Sequence, residues 1–194
     1  MAPSFEQPEV SSLRELNRLA RAESWALLAD GDGSFLFPET QAVCDIWHRK
    51  AAPGRLPFRS EFTARLLKPY LRLLVIQERV TVPGGRRYRS RLMGEAVTAM
   101  IGDASGKFFE EFLRLPALRT WNAMADAVLA HGGAVRFLIR ADGFAEAGRA
   151  GEIFAAPVLT ADGRPDLILA AGRFEIPWKW NELAADWRRD RPDD

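Results

Sequence analysis

The sequence predicts an α+β fold: a five-stranded antiparallel sheet with helices packed on one face, preceded by an amphipathic helix. Three observations carry this. LRLLVIQERVTV and RRYRSRLMG flank PGG, a turn signal, and read as a hairpin. PALRTWNAMADAVLAHGG reads as one long helix. Three strand-like segments then follow in succession. A hairpin, a helical crossover and a three-strand meander close one antiparallel sheet, and the helices must bury their apolar stripes against it.

The elements follow in order. Residues 1–11 hold two Pro and no periodicity. Ser12 with Glu15 three positions on is a capping-box signature. Leu13, Leu16, Leu19, Ala20 and Leu27 recur at helical spacing with Arg14, Arg18 and Arg21 opposite, which predicts one helix over 12–29. GDGS at 31–34 ends it. ETQAVCDIWHRKA, with Val43, Ile46 and Trp47 on one face, predicts a helix over 40–51. The first hairpin strand runs from Leu71. In the second, Tyr88, Ser90 and Leu92 share one face and Arg87, Arg89 and Arg91 the other. EAVTAMIG and GKFFEEFLRL predict short helices. In the long helix Pro116 suits the first turn, Leu118, Trp121, Met124, Ala125 and Val128 form the apolar stripe, and Gly132–Gly133 end it. Strands are expected over 134–141, 151–160 and 166–176. The division expected is an N-terminal extension over 1–39, a core domain over 40–176 and a tail over 177–194.

Composition narrows the function classes. The 194 residues carry a net charge of +1, one Cys and two His. Cys44 has no disulfide partner, which suits a reducing cytoplasm, and His48 and His131 are too few for a Cys/His zinc cluster. Four Lys and 23 Arg face 26 acidic residues, a balance that argues against a general nucleic-acid binder. The N-terminus lacks the basic and apolar regions of a secretory signal, and no apolar run approaches the ~18 residues of a membrane span. No GxSxG, P-loop, HExxH or GxGxxG after a strand occurs. The expectation is a non-enzymatic protein with no catalytic and no metal residues.

The segments IWHRKAAPGRLPFRSEF, LKPYLRLLVIQERV and RRYRSRLMGEAVTAMIGDASGKFFEEF resemble the PAS-type domain family common in alphaproteobacteria. Matching features are Trp47, Gly54–Arg55–Leu56–Pro57, Arg59, Phe62, the run from Tyr88 to Gly94, and the glycine steps Gly102–Asp103 and Gly106–Lys107. The likeness spans about 40–176. Thr63–Ala64–Arg65 and Glu95 depart from the family pattern. The resemblance implies a PAS-like sensory or interaction module that binds a small molecule or docks a signalling partner. It does not define the ligand. It also raises haem binding through a helix His, but His131 ends its helix, where a cation suits the dipole, so haem is not expected.

Candidate sites follow. A ligand pocket is expected from Met93, Met100, Ile101, Trp121, Met124, Val128, Phe137, Phe154 and Phe174, with core filling as the plain alternative. Arg87, Arg89 and Arg91, with Arg72, Arg136 and Arg140 near them, would suit phosphates such as those of a cyclic dinucleotide. The plain alternative pairs them with Glu15, Glu78 or Glu175. No aromatic interleaves the stripe, which argues against single-stranded nucleic acid. Cys44 and His48 share a helix face and would form a nucleophile pair only with an activated thiolate. An enzyme site in the cavity would need a buried polar dyad. Residues 12–29 are expected either to pack on their own sheet or to pair two copies into a homodimer. Trp178, Trp180 and Trp187 would suit an interface.

Overall fold

The computed structural model describes residues 9–31, 34–83, 85–140 and 150–176, together with Trp180, Asn181 and Ala185. Its elements are α1 (Leu13–Ala22), β1 (Leu27–Asp30), α2 (Pro38–Lys50), α3 (Ala64–Leu67), β2 (Leu74–Val82), β3 (Gly85–Met93), α4 (Glu95–Ile101), α5 (Phe109–Phe112), α6 (Leu115–His131), β4 (Val135–Arg140), β5 (Ala150–Val158) and β6 (Leu167–Ile176). One antiparallel sheet has the order β1-β4-β5-β6-β2-β3. The hairpin, crossover and meander are present as expected, and β2–β6 make a PAS-like sheet. A sixth strand, β1, extends it.

That strand corrects the helix expected over 12–29. Ser12 caps α1 as expected, accepting a hydrogen bond from the Glu15 N–H. The helix stops at Ala22 because Ser24 turns left-handed, at φ 56°. The Trp25 N–H then reaches the Ala20 carbonyl and the Ser24 N–H the Arg21 carbonyl, which is the Schellman arrangement. Glycine usually marks that position, so a serine there hid the stop. Leu27 belongs to β1, which pairs with β4. Through residues 13–30 the expected extension therefore supplies a helix and a strand to the main core.

The helices cover both faces of the sheet, not one. On the first face α1, α4, α5 and α6 pack on Val75, Phe137, Ile139, Ile153, Ala155, Ile168 and Ala170. On the second, Val43, Ile46 and Trp47 of α2 join Phe62 and Leu67 against Leu74, Ile76, Phe154, Ala156 and Leu169. Period-2 alternation makes this possible: β5 and β6 carry apolar residues in both phases, the mark of a strand buried on both sides.

A bulge between Ile76 and Gln77 corrects the alternation expected in β3. Gln77 opposes Ser90 but Ile76 opposes Leu92, leaving Arg91 as the extra residue. Tyr88 and Ser90 stay on the first face, Leu92 moves to the second and is exposed, and Met93 returns to the first. Gly94 then closes the strand against backbone. A Cβ there would lie 2.3 Å from the Leu71 carbonyl oxygen, so only glycine fits.

Candidate functional site

On the first face, α6 lies over the middle of the sheet. Trp121, Met124, Ala125 and Val128 recur every three or four residues and point at it. Beneath them Ala155 and Ala170 sit directly opposite each other on β5 and β6, with Gly172 beyond. Small side chains under a large helix leave a hollow of about 470 Å³, open solvent at its mouth included. Phe174 closes one end. Its ring lies where a Cβ on Gly151 or Gly172 would be, which is why both positions are glycine. A second hollow of about 290 Å³ adjoins it under α4 and α5. The two share Val75, Gln77, Val97 and Trp121.

The structure brings together Trp121, Met124, Val128, Phe137 and Phe174 around the larger hollow, and Met93, Ile101 and Trp121 around the smaller. Two expected residues lie elsewhere. Phe154 is on the second face, edge-to-face with Phe35, because its strand neighbour Ile153 holds the inward phase. Met100 is buried on α4 but lines neither hollow.

Two polar residues absent from the expectation face in. Gln77, at the bulge, lines both hollows and makes no side-chain hydrogen bond to another described residue. Ser90 stands opposite it, lines the smaller hollow, and its buried hydroxyl has no partner. A lone Gln in the apolar run LLVIQ was the signal available for the first.

Further along this face is a closed polar network. Asp126 of α6 has a wholly buried carboxylate that receives the Arg86 guanidinium on both oxygens and the Tyr88 hydroxyl at 2.5 Å. Burial, then the Asp126 charge, pushes the Tyr88 hydroxyl far above the usual tyrosine range. The hydrogen bond to Asp126 holds Arg86 more firmly protonated. Asp126 sits one position from the apolar stripe of ADAV and shows no partner locally, so the sequence does not reveal it.

The arginine stripe is paired. Arg89 and Arg91 both bind Glu78, Arg87 binds Glu110, and the Arg87 guanidinium lies 3.7 Å from the centre of the Phe108 ring. Glu78 is one of the expected partners. Glu15 instead accepts from Ser11, and the Glu175 side chain lies outside the described residues. Arg72 is exposed beyond the stripe, and Arg136 and Arg140 lie on β4, with β5, β6 and β2 between them and β3. Arg136 is held in a buried cluster, 3.4 Å from Asp30 and 3.9 Å from Glu152. Glu152 in turn accepts from the Leu36 N–H, the Phe37 N–H and the Thr40 hydroxyl. It thereby caps α2, whose own N-cap residue, Phe37, offers no side-chain acceptor.

Cys44 is buried on the second face, and desolvation pushes its thiol up to about 11, so the Cys44–His48 helix face holds no activated thiolate. The His131 ring is exposed at the end of α6, against Gly31 and Gly133 and away from both hollows. Trp180 packs on Leu28, Leu138 and Ala150, while Trp178 and Trp187 lie outside the described residues. Among the described residues no group of three or more His, Cys, Asp or Glu side chains is placed to hold a metal ion, and no helix is long and apolar enough to cross a membrane.

Geometry thus defines a PAS-like α+β sheet with a lined hollow between sheet and helices. No family model and no curated protein matches the chain. Among solved structures it is similar to an RNA-binding light-oxygen-voltage receptor, at 13% identity and a TM-score of 0.43, over 87% of this chain and 45% of that one. It is also similar to the light state of the blue-light photoreceptor Aureochrome1 LOV, at 12% identity and a TM-score of 0.38, over 66% of this chain and 99% of that one. At such scores the strand order, and not the likeness, carries the fold.

Proposed function

We propose that the chain is a sensory module: it binds a small molecule in the double hollow between the sheet and α4–α6 and relays occupancy to a signalling partner, without catalysis. One observation carries this. Ser90 has a buried hydroxyl without a partner, Gln77 opposite it makes no side-chain hydrogen bond to a described residue, and both face an apolar hollow. A buried polar group without a partner costs about 1–3 kcal/mol, a cost that a bound molecule recovers. The charged groups of this face, Asp126 and Arg86, are consumed by each other, which favours binding over acid–base chemistry. The roof of the smaller hollow is built from α4 and α5, of seven and four residues, short elements whose packing a ligand can shift.

The phosphate-binding alternative loses ground because Arg87, Arg89 and Arg91 each have a carboxylate partner. Pairing of two copies through 12–29 is likewise disfavoured, since Leu16, Asn17 and Ala20 are buried against the chain's own core. The test is native mass spectrometry of protein purified without denaturation. A stoichiometric added mass, lost in a Val128→Trp variant that fills the hollow, supports the proposal. An apo mass under every condition, with no binding of small apolar probes, removes it.

A further inference from the structure

Granted that the hollow is a binding site, its chemistry restricts the ligand. None of the described residues lining either cavity carries a charge. Among the described residues the lining is aliphatic and aromatic, and Gln77 and Ser90 supply its amide and its hydroxyl. These two are cross-strand partners on one face, Gln77 8% and Ser90 1% exposed. Gln77, beside the bulge, lines both cavities, and the Ser90 backbone is fixed by its N–H and carbonyl, which bond Lys107 and Gly106. The polar pair therefore stands where the two hollows meet, Gln77 lining both and Ser90 the smaller.

We infer that the ligand is an uncharged, largely apolar small molecule whose single hydrogen-bonding group meets Gln77 and Ser90. An amide and a hydroxyl each donate and accept, so they serve a neutral N–H, O–H or carbonyl equally. A carboxylate or phosphate would enter an apolar site with no cation among its described lining residues to pair it, which is strongly unfavourable.

The probes are indole, its near-isostere indene, and indole-2-carboxylate, each titrated into the full chain and followed by protein NMR. Indole is expected to bind about five- to tenfold more tightly than indene, the worth of one good hydrogen bond. The carboxylate is expected to bind at least a hundredfold more weakly than indole. In the Gln77→Leu, Ser90→Ala double variant, indole and indene should bind within twofold of each other, and the variant should melt no lower than the parent. Ser90→Ala alone deletes one oxygen and keeps the comparison readable if the double variant unfolds. The inference is overturned if indole-2-carboxylate binds as well as indole. It is also overturned if the wild type does not prefer indole, the result expected if water alone occupies the polar pair. Those failures leave a cavity that binds. Failure of all three probes together with an apo native mass removes the sensory reading itself, and this inference with it.

Discussion

Asp126 shows how much a single side chain carries in this molecule. Its carboxylate joins α6 to β3 through Arg86 and Tyr88 with no exposure to water. Removing it leaves a guanidinium half-buried and a phenol without an acceptor. Asp126→Ala should therefore cost about 3–5 kcal/mol, measured as a fall in the urea midpoint. Tyr88 and Cys44 add a pH dependence. Both have folded values raised above those of the unfolded chain, Cys44 to about 11. As pH rises past about 9 the unfolded chain loses these protons first and binds fewer than the folded one, so stability falls. Melting temperature should be flat from pH 7 to 8.5 and drop steadily toward pH 11. Cys44→Ala should flatten the first part of that drop and Tyr88→Phe the part above about pH 10; a parent-like slope in both variants would refute the assignment. The same burial predicts that Cys44 reacts with Ellman's reagent far more slowly in the native protein than in urea, by a factor of roughly a hundred or more.

At the scale of elements, β1 and α2 are each held by a polar residue from elsewhere in the chain. The Asn17 side-chain amide donates to the Ala29 carbonyl and accepts from the Ala29 N–H, both at 2.9 Å. It thus satisfies the outward edge of β1, which would otherwise present unpaired backbone groups. Asn17→Ala strands both of these, and should lower stability by about 2–4 kcal/mol and speed proteolysis near residues 22–26. Glu152 does the same for α2. Neither anchor was legible in the sequence, since each joins residues far apart: Asn17 with Ala29, Glu152 with Leu36. Periodicity reports which face of an element is apolar; it says nothing of which distant side chain completes its ends.

For the whole molecule, the decisive fact is that β1 and α1 complete the sheet and the core. Deleting residues 1–30 would strip the β4 edge and uncover the Leu16 and Ala20 contacts on the first face. Such a variant should be insoluble or melt more than about 10 °C lower. A soluble variant with an unchanged melting temperature would show that the segment is an appendage after all.

Local pattern by itself determined the α+β class, the hairpin, the short helices, the long helix and the meander. Each rests on a period of 2 or 3.6 within a dozen residues, and on Gly or Pro at its ends. It also placed Trp121, Met124, Val128, Phe137 and Phe174 in one layer, because alternation and helical spacing fix which face a side chain takes. Only the tertiary structure decided the rest. A left-handed serine ended α1 without glycine's signal. A bulge of one residue sent Leu92 outward and Met93 inward. Phe154 fell on the far face because the phase of a doubly buried strand is set by its partners and not by its own composition. And Gln77 met Ser90, 13 positions away in the chain, only because the hairpin register set them side by side.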